Sequence, residues 1–393
     1  MTTIAALILA AGCFLLLALH PFVTYPISLL LIRRARGIKE RQRERESAKD
    51  QLSIAFVLCA YNEASVIEDK IKNLIEIRRS LARCSIHVYA DGCSDDTVAK
   101  LERYRDDVRV VAGVGRKGKS AGMGVLMKGV DADLVAFTDA NVIITPASAL
   151  LMAGYFADPR VGCVCGQLTY SNPDESTTAA AGSAYWKFEE WLKRTESGID
   201  STVAADGALF VVRRELWNEV PSDIIDDACT STSVFCRGLD VVQADDIHAW
   251  EKGAVSTAEE FRRKIRISCR TFNCTLFLWK KLRATSLLRQ YMYFSHKLLR
   301  WLIIFNLIAA GICFGVATAM WSLKVFLIGG VILIAALALG IAGVRPFAGI
   351  VEILVSFAAA GLGVVQSVRG KRYVTWTPPG STRESPHIPA QTT

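Results

Sequence analysis

Between Thr3 and Ile32 the sequence has no charged residue, and it has no lysine or arginine before Arg33. A cleavable secretory leader needs an early basic region ahead of a shorter apolar core, so that class of segment is not expected. The run is instead long enough to cross a hydrocarbon core of about 30 Å, and residues 1–33 read as a retained transmembrane helix. Eleven cysteines are present, yet no two stand in C-x-x-C spacing. Neither a zinc site nor a disulfide framework is therefore expected; in a reducing cytoplasm the thiols serve as small buried hydrophobes. Neither a groove-reading helix nor a basic sheet interleaved with aromatics is found, which sets nucleic acid aside as a partner.

What is present divides the chain. Hydrophobic residues make up 51% of the 393 and charged residues still 21%, with a mean hydropathy of +0.29. That combination fits a soluble domain fused to lipid-embedded segments. The linker at 34–50 is basic: Arg33 to Lys49 holds eight Lys/Arg against three Glu. The positive-inside rule puts this flank in the cytoplasm, where it also meets anionic membrane lipids. A second apolar tract fills 301–368. Segments near 302–320 and 325–344 read as an antiparallel pair. The third, 347–368, carries Glu352 and is followed by Arg369, Lys371 and Arg372. It reads as either a true span or a re-entrant or tilted segment, because a third crossing would put basic residues on the wrong side. A polar tail fills 369–393, and its proline-rich stretch 377–393 is expected to be disordered.

Over 51–260 short apolar runs such as "LSIAFVLCA", "SIHVYA" and "DLVAFT" alternate with helix-length stretches, the signature of an open, largely parallel sheet covered on both faces. Ligands of such sheets sit beyond the carboxyl ends of the strands. There the sequence places Tyr61-Asn62-Glu63, then "DGCSDDT" from Asp91, then Asp139-Ala140-Asn141. A buried acid at a strand end needs a cation or donors. The loop "GVGRKGKSAGMG" is read here as neither a dinucleotide fingerprint nor a P-loop. Arg116, Lys117 and Lys119 with the following helix start suit a phosphate or carboxylate, the alternative being a solvated basic loop. The aromatics of "GSAYWKFEEWLKRTES" are expected in the core, with sugar stacking or lipid contact as alternatives. Asp226-Asp227 is a like-charge pair suited to a base of raised pKa. Arg262, Arg266 and Arg270 recur at helical spacing and serve lipid phosphate, diphosphate, or both.

These clusters, in this order, resemble the membrane-bound family 2 glycosyltransferases, the inverting group that includes cellulose, hyaluronan and poly-N-acetylglucosamine synthases. The resemblance runs from about Gln51 to Asn273 plus the flanking membrane segments. It implies an α/β nucleotide-diphospho-sugar transferase fold, Rossmann-like, with N- and C-terminal transmembrane helices. It also implies interface helices over 261–300. Donor binding falls on Tyr61, Asn62, Glu63, Asp91, Lys119, Asp139, Arg263 and Arg266. The metal-binding D-x-D motif falls on Asp139 and Asn141, with an amide in place of the second acid, and implies Mg²⁺ or Mn²⁺. The T-E-D motif falls on Ile225-Asp226-Asp227, making Asp227 the base with Asp226 as the alternative. Ala205, Asp206 and Gly207 line the acceptor side. Of the Q-x-x-R-W motif, falling on residues 263–267, only Arg266 is kept, which leaves processive and single transfer both open. The implied partners are a nucleotide sugar, with a UDP-sugar as the expectation, a polysaccharide or lipid-linked acceptor, and an export complex. The implied setting is a bacterial inner membrane with the catalytic domain cytoplasmic. A single transfer to a polyprenyl phosphate or glycolipid, or a silent sugar-binding partner, are the other readings.

Overall fold

The computed structural model describes residues 2–36, 52–377 and 380–386. Most of the basic linker at 34–50 and residues 387–393 lie outside the described residues. The chain opens with helices α1 (Thr2–Leu19) and α2 (Thr24–Ala35). The single anchor expected over 1–33 is thus two helices. The break at His20–Val23 contains Pro21, which lacks an N–H for the helix ladder. His20 Nδ1 bonds Thr24 Oγ1 at 2.7 Å across the turn. On α2, Tyr25 and Leu29 are fully buried, and the Tyr25 hydroxyl donates to Glu196 at 2.5 Å. α2 is therefore docked on the soluble domain, and α1 alone is left as the N-terminal crossing candidate.

The domain follows as β1 (Ile54–Ala60), α3 (Ile67–Ser80), β2 (Cys84–Ala90), α4 (Thr97–Glu102), β3 (Arg109–Ala112), α5 (Lys119–Met127) and β4 (Leu134–Thr138). It continues with β5 (Ile143–Ile144), α6 (Pro146–Met152), β6 (Val161–Tyr170), α7 (Thr177–Ile199), β7 (Leu209–Arg213), α8 (Asp226–Cys236) and β8 (Asp240–Glu251). One eight-stranded sheet has the order β3-β2-β1-β4-β7-β6-β8-β5. Its first half is parallel, as expected. In the second half β7 runs antiparallel to both neighbours, β6 and β8 are parallel, and β5 is antiparallel to β8. β1 is buried along its whole length because both faces are covered. Ile54, Phe56, Leu58 and Ala60 pack with the α3 side chains, while Ala55, Val57 and Cys59 face Met123 and Met127 of α5. Two-residue periodicity assigns each side chain to its layer.

After the sheet come α9 (Thr257–Arg283), α10 (Leu287–Tyr293), a short π-helical turn, α11 (Leu299–Trp301), α12 (Ile303–Trp321), α13 (Leu323–Ile341) and α14 (Phe347–Val368). Among the described residues four helices, α1, α12, α13 and α14, are long and apolar enough to cross a membrane. α12 and α13 fold back on each other at Ser322, where Gly315 faces Phe326. The start of α12 and the end of α13 therefore share one end of the hairpin. α14 touches both: Gly340 lies against Phe347 and Val351, and Gly361 against Ile304 and Phe305. It also packs in step along α9. Thr257 donates to Glu352 at 2.6 Å, Lys264 to Ser356 at 2.8 Å, and Ser367 to Asn273 at 2.5 Å, with Gly363 set against Ile265 and Ser268. α14 thus meets the end of α13 and the start of α12 while lying along α9, where Glu352 accepts from Thr257. Glu352 is thereby spared the cost of an isolated acid in hydrocarbon.

Part of the stretch expected to be disordered is placed against the domain. Residues 371–377 and 380–386 return to the domain, with Lys252 donating to Glu384 at 2.5 Å and Gly380 N–H to Glu259 at 3.2 Å. Its polarity is matched by fixed charges on the domain, a partner no composition rule contains.

Candidate active site

The three polar clusters at the strand ends meet in one cleft. Asn62, just past β1, has φ of 52°, the left-handed region that an asparagine tolerates through local side-chain bonds. Its side chain supplies them: Ser94 N–H donates to Asn62 Oδ1 at 2.8 Å, tying the first loop to the second. Glu63 is buried, and burial pushes its carboxyl up to about 8 even with Arg383 beside it. Tyr61 lies under the Arg116 guanidinium, 3.5 Å from the ring centroid.

At the centre, Lys119 Nζ is 2.6 Å from Asp139 Oδ1 and 3.4 Å from Asp226 Oδ2. Burial pulls the ammonium down, but Asp139, Asp226 and Asp227 override it and hold Lys119 well above its ordinary range. Asp227 opens α8 beside it. Burial and the Asp226 charge raise its carboxyl to about 7, against the pull of Lys119. Gly207 marks the meeting point: a β-carbon there would lie 2.9 Å from Asp227 Oδ2, 3.4 Å from Lys119 Nζ and 3.7 Å from Asp139 Oδ2. Only glycine leaves that space open.

The reading of the loop after β3 needs correction. Residues 113–120 spell GVGRKGKS, which does satisfy both the G-x-G-x-x-G and the G-x-x-x-x-G-K-[ST] letter patterns, between a strand and a helix. The chemistry differs from that of a phosphate cradle. The N–H groups of Lys117 and Gly118 are taken by the Asp91 carboxylate at 2.7 and 3.0 Å, Lys119 is committed to the acids, and Ser120 Oγ donates to Ile224 O at 2.9 Å. Asp91 is fully buried. It is thus the internal anion that shapes this loop, where the resemblance had it grip the donor. Gly92, at φ +62°, lets the loops touch; a β-carbon would sit 2.5 Å from the Gly115 carbonyl carbon.

The arginines of α9 divide. Arg263 forks onto Glu260 at 2.8 and 3.0 Å, so its donors are already engaged. Arg270 is buried and donates to Ser120 Oγ at 3.0 Å and Ile224 O at 2.6 Å, a structural brace. Arg262 is exposed. Arg266 makes no hydrogen bond or ion pair among the described residues; burial and the charges of Arg270 and Arg263 lower it to about 10. The expected single face of three arginines therefore holds one unpaired cation beside the acids. Asp206 is paired too, accepting from Lys193 Nζ at 2.9 Å.

Several neighbours were not anticipated. Lys70, fully buried on α3, donates to Thr138 Oγ1 at 3.0 Å and Val142 O at 2.6 Å, and burial lowers it to about 7. Asn73, one turn on, exchanges bonds with Ile144. Together they clamp the segment carrying Asp139 and Asn141. A lysine and an asparagine at helical i, i+3 spacing amid core residues is a signal the sequence did offer. Glu251, ending β8, accepts from Asn141 Nδ2 at 3.0 Å. From the tail, Arg383 bonds Glu63 and the carbonyls of Asn62 and Tyr61, and Trp376 meets the Tyr61 ring edge-on.

No group of three His, Cys, Asp or Glu side chains forms a ready metal cage among the described residues. Asp139 and Asn141 offer one carboxylate and one amide oxygen, since the amide nitrogen is spent on Glu251. Mg²⁺ and Mn²⁺ at phosphate-transfer sites are held by one or two carboxylates, with substrate phosphates and water completing the shell. The donor set fits a cation arriving with a diphosphate.

A mixed α/β sheet with acids, a lysine and an unpaired arginine at its strand ends defines the nucleotide-sugar transferase class of fold. Residues 55–220 match the family model described as Glycosyl transferase family 2. The chain is 26% identical over 195 residues to the poly-beta-1,6-N-acetyl-D-glucosamine synthase of Staphylococcus aureus strain COL, covering 47% of this chain and 46% of that protein. It thus spans about half the length of the curated relatives it matches. The mannosyltransferase PcManGT from Pyrobaculum calidifontis, solved with GDP-Man and Mn²⁺, shares the fold at a TM-score of 0.69 and 19% identity, over 93% of this chain and all of that one.

Proposed function

We propose that the protein is a membrane-embedded, inverting glycosyltransferase that moves a sugar from a nucleoside diphosphate donor to a polysaccharide or lipid-linked acceptor. The observation that carries this reading is the convergence of Lys119, Asp139 and Asp227 around the open space at Gly207. In one displacement the acceptor oxygen forms its bond to the anomeric carbon as the bond to the diphosphate breaks, and the departing electron pair goes to phosphate. Asp227 takes the acceptor hydroxyl proton, a role suited to a carboxyl raised to about 7. Lys119 and Arg266 supply fixed positive charge for the leaving group. A divalent cation on Asp139 and Asn141, when bound, neutralises diphosphate charge. A uridine nucleotide is the favoured donor, and surface polysaccharide synthesis is the favoured setting, the latter in keeping with the polysaccharide synthase relative. A cytoplasmic face for the domain is supported by Arg33, Arg34 and Arg36 at the end of α2 and by Arg369, Lys371 and Arg372 after α14.

Full-length protein in detergent, given a panel of UDP-, GDP- and dTDP-sugars with Mn²⁺ or Mg²⁺, tests this by nucleotide release. Turnover with at least one donor, lost in Asp227→Asn, is the expected result. Release from none of them, or an unimpaired Asp227→Asn, overturns it.

A further inference from the structure

The amide in the acidic motif has a partner that explains it. Asn141 is symmetric in shape at its tip, so which end faces outward is set entirely by its hydrogen-bond partners. Glu251 Oε1 lies 3.0 Å from Asn141 Nδ2. Burial pushes the Glu251 carboxyl up to about 7; in its ionised form it only accepts, so it selects the amide nitrogen and turns the oxygen away from itself. The main chain fixes the meeting. β5 and β8 pair antiparallel with Ile143 opposite Trp250, which sets Val142 opposite Glu251, next to Asn141. On its other side Glu251 pairs with Tyr170 of β6, and its carbonyl accepts from Ser171 N–H at 2.9 Å. The carboxylate therefore projects from a strand held on both edges.

We propose that Glu251 is a positioning residue that carries the negative charge absent at Asn141 and orients the Asn141 oxygen toward a donor-bound divalent cation. This rests on the function proposed above. In effect, the second acid of the motif has moved across the strand pair onto β8. Restoring the commoner motif by Asn141→Asp then sets two carboxylates against each other at hydrogen-bond distance, whereas Asn141→Asp with Glu251→Gln returns both the bond and the net charge in reverse.

The test is Mn²⁺ binding to full-length protein in the presence of UDP or GDP, followed by the paramagnetic resonance of free Mn²⁺. Asn141→Asp and Glu251→Gln are each expected to raise the Mn²⁺ dissociation constant about tenfold, and the double variant to return within about threefold of the native value, the non-additivity of groups in direct contact. Thermal unfolding of each variant shows whether it is folded. If Glu251→Gln alone fails to fold, the comparison of Asn141→Asp with the double variant carries the test. Tighter Mn²⁺ binding by Asn141→Asp alone, or a double variant no better than its singles combined, overturns the inference while leaving the proposed function standing. A native protein that binds Mn²⁺ with neither nucleotide also overturns the inference, while turnover of the donor panel decides the proposed function separately.

Discussion

Residue identity matters most where three charges share one small space. Asp227 has its carboxyl raised to about 7 by burial and by Asp226. A base works only when deprotonated, so kcat/KM is expected to fall as pH drops below about 7, by about tenfold per unit. A pH–rate profile checks this. Asp227→Asn should cut kcat by about 10²–10⁴-fold with the fold intact, the range for losing a general base. Gly207 is a second test at this scale. Gly207→Ala puts a methyl 2.9 Å from Asp227 Oδ2 and 3.4 Å from Lys119 Nζ, and is expected to lower kcat sharply while thermal stability changes by no more than about 1 kcal/mol, as for substitutions outside the core. Asp91 and Asp139 were readable in the sequence because a carboxylate ending an apolar strand stands out, and Asp227 because it is one of a like-charge pair. Glu251 reads as an ordinary member of its strand until β8 is seen to converge on the Asp139 loop, whereas Lys70, with Asn73 three residues on amid core residues, carried a signal in the sequence.

Elements decide what reaches the cleft. The tail occupies the side of the site where Tyr61 and Glu63 lie, with Arg383 on Glu63 and Trp376 against Tyr61. A nucleotide using those residues competes with the tail, so only the fraction of molecules with the tail displaced binds at full strength. Arg383→Ala is accordingly expected to tighten UDP or GDP binding by about three- to tenfold in calorimetry. Weaker binding would make the tail part of the nucleotide site instead. Composition pointed to disorder here because polarity reports what a segment can bury and says nothing of the ionic partners it finds. The same limit applies to the α5 loop, whose letters match a phosphate cradle while its N–H groups are spent on Asp91.

For the whole molecule, the placement of α14 sets the topology. If α1, α12 and α13 cross while α14 lies along α9, the N-terminus and the domain are expected on opposite sides, with the C-terminus on the domain's side. A reporter fused after Thr393 in a bacterial host is expected to report the same compartment as the domain; the opposite compartment would make α14 a true crossing. Gly363→Leu forces a side chain onto the Ile265 carbonyl, where even a β-carbon would be 2.6 Å away. It is expected to loosen the α9–α14 seam and destabilise the protein by about 1–3 kcal/mol, the range for overpacking, measured as a lower unfolding temperature in detergent.

Periodicity and turn chemistry in the sequence were enough to determine the alternating strands and helices, the apolar segments, and the acids at the strand ends, because these depend on neighbours a few residues apart. The docking of α2, the antiparallel half of the sheet, the resting place of α14 and the return of the tail were decided only in three dimensions. Each depends on a partner far along the chain: Tyr25 on Glu196, Glu352 on Thr257, Arg383 on Glu63, Asn141 on Glu251. A polar group settles where its partner is, and which distant residue that will be is fixed by the packing of the whole sheet.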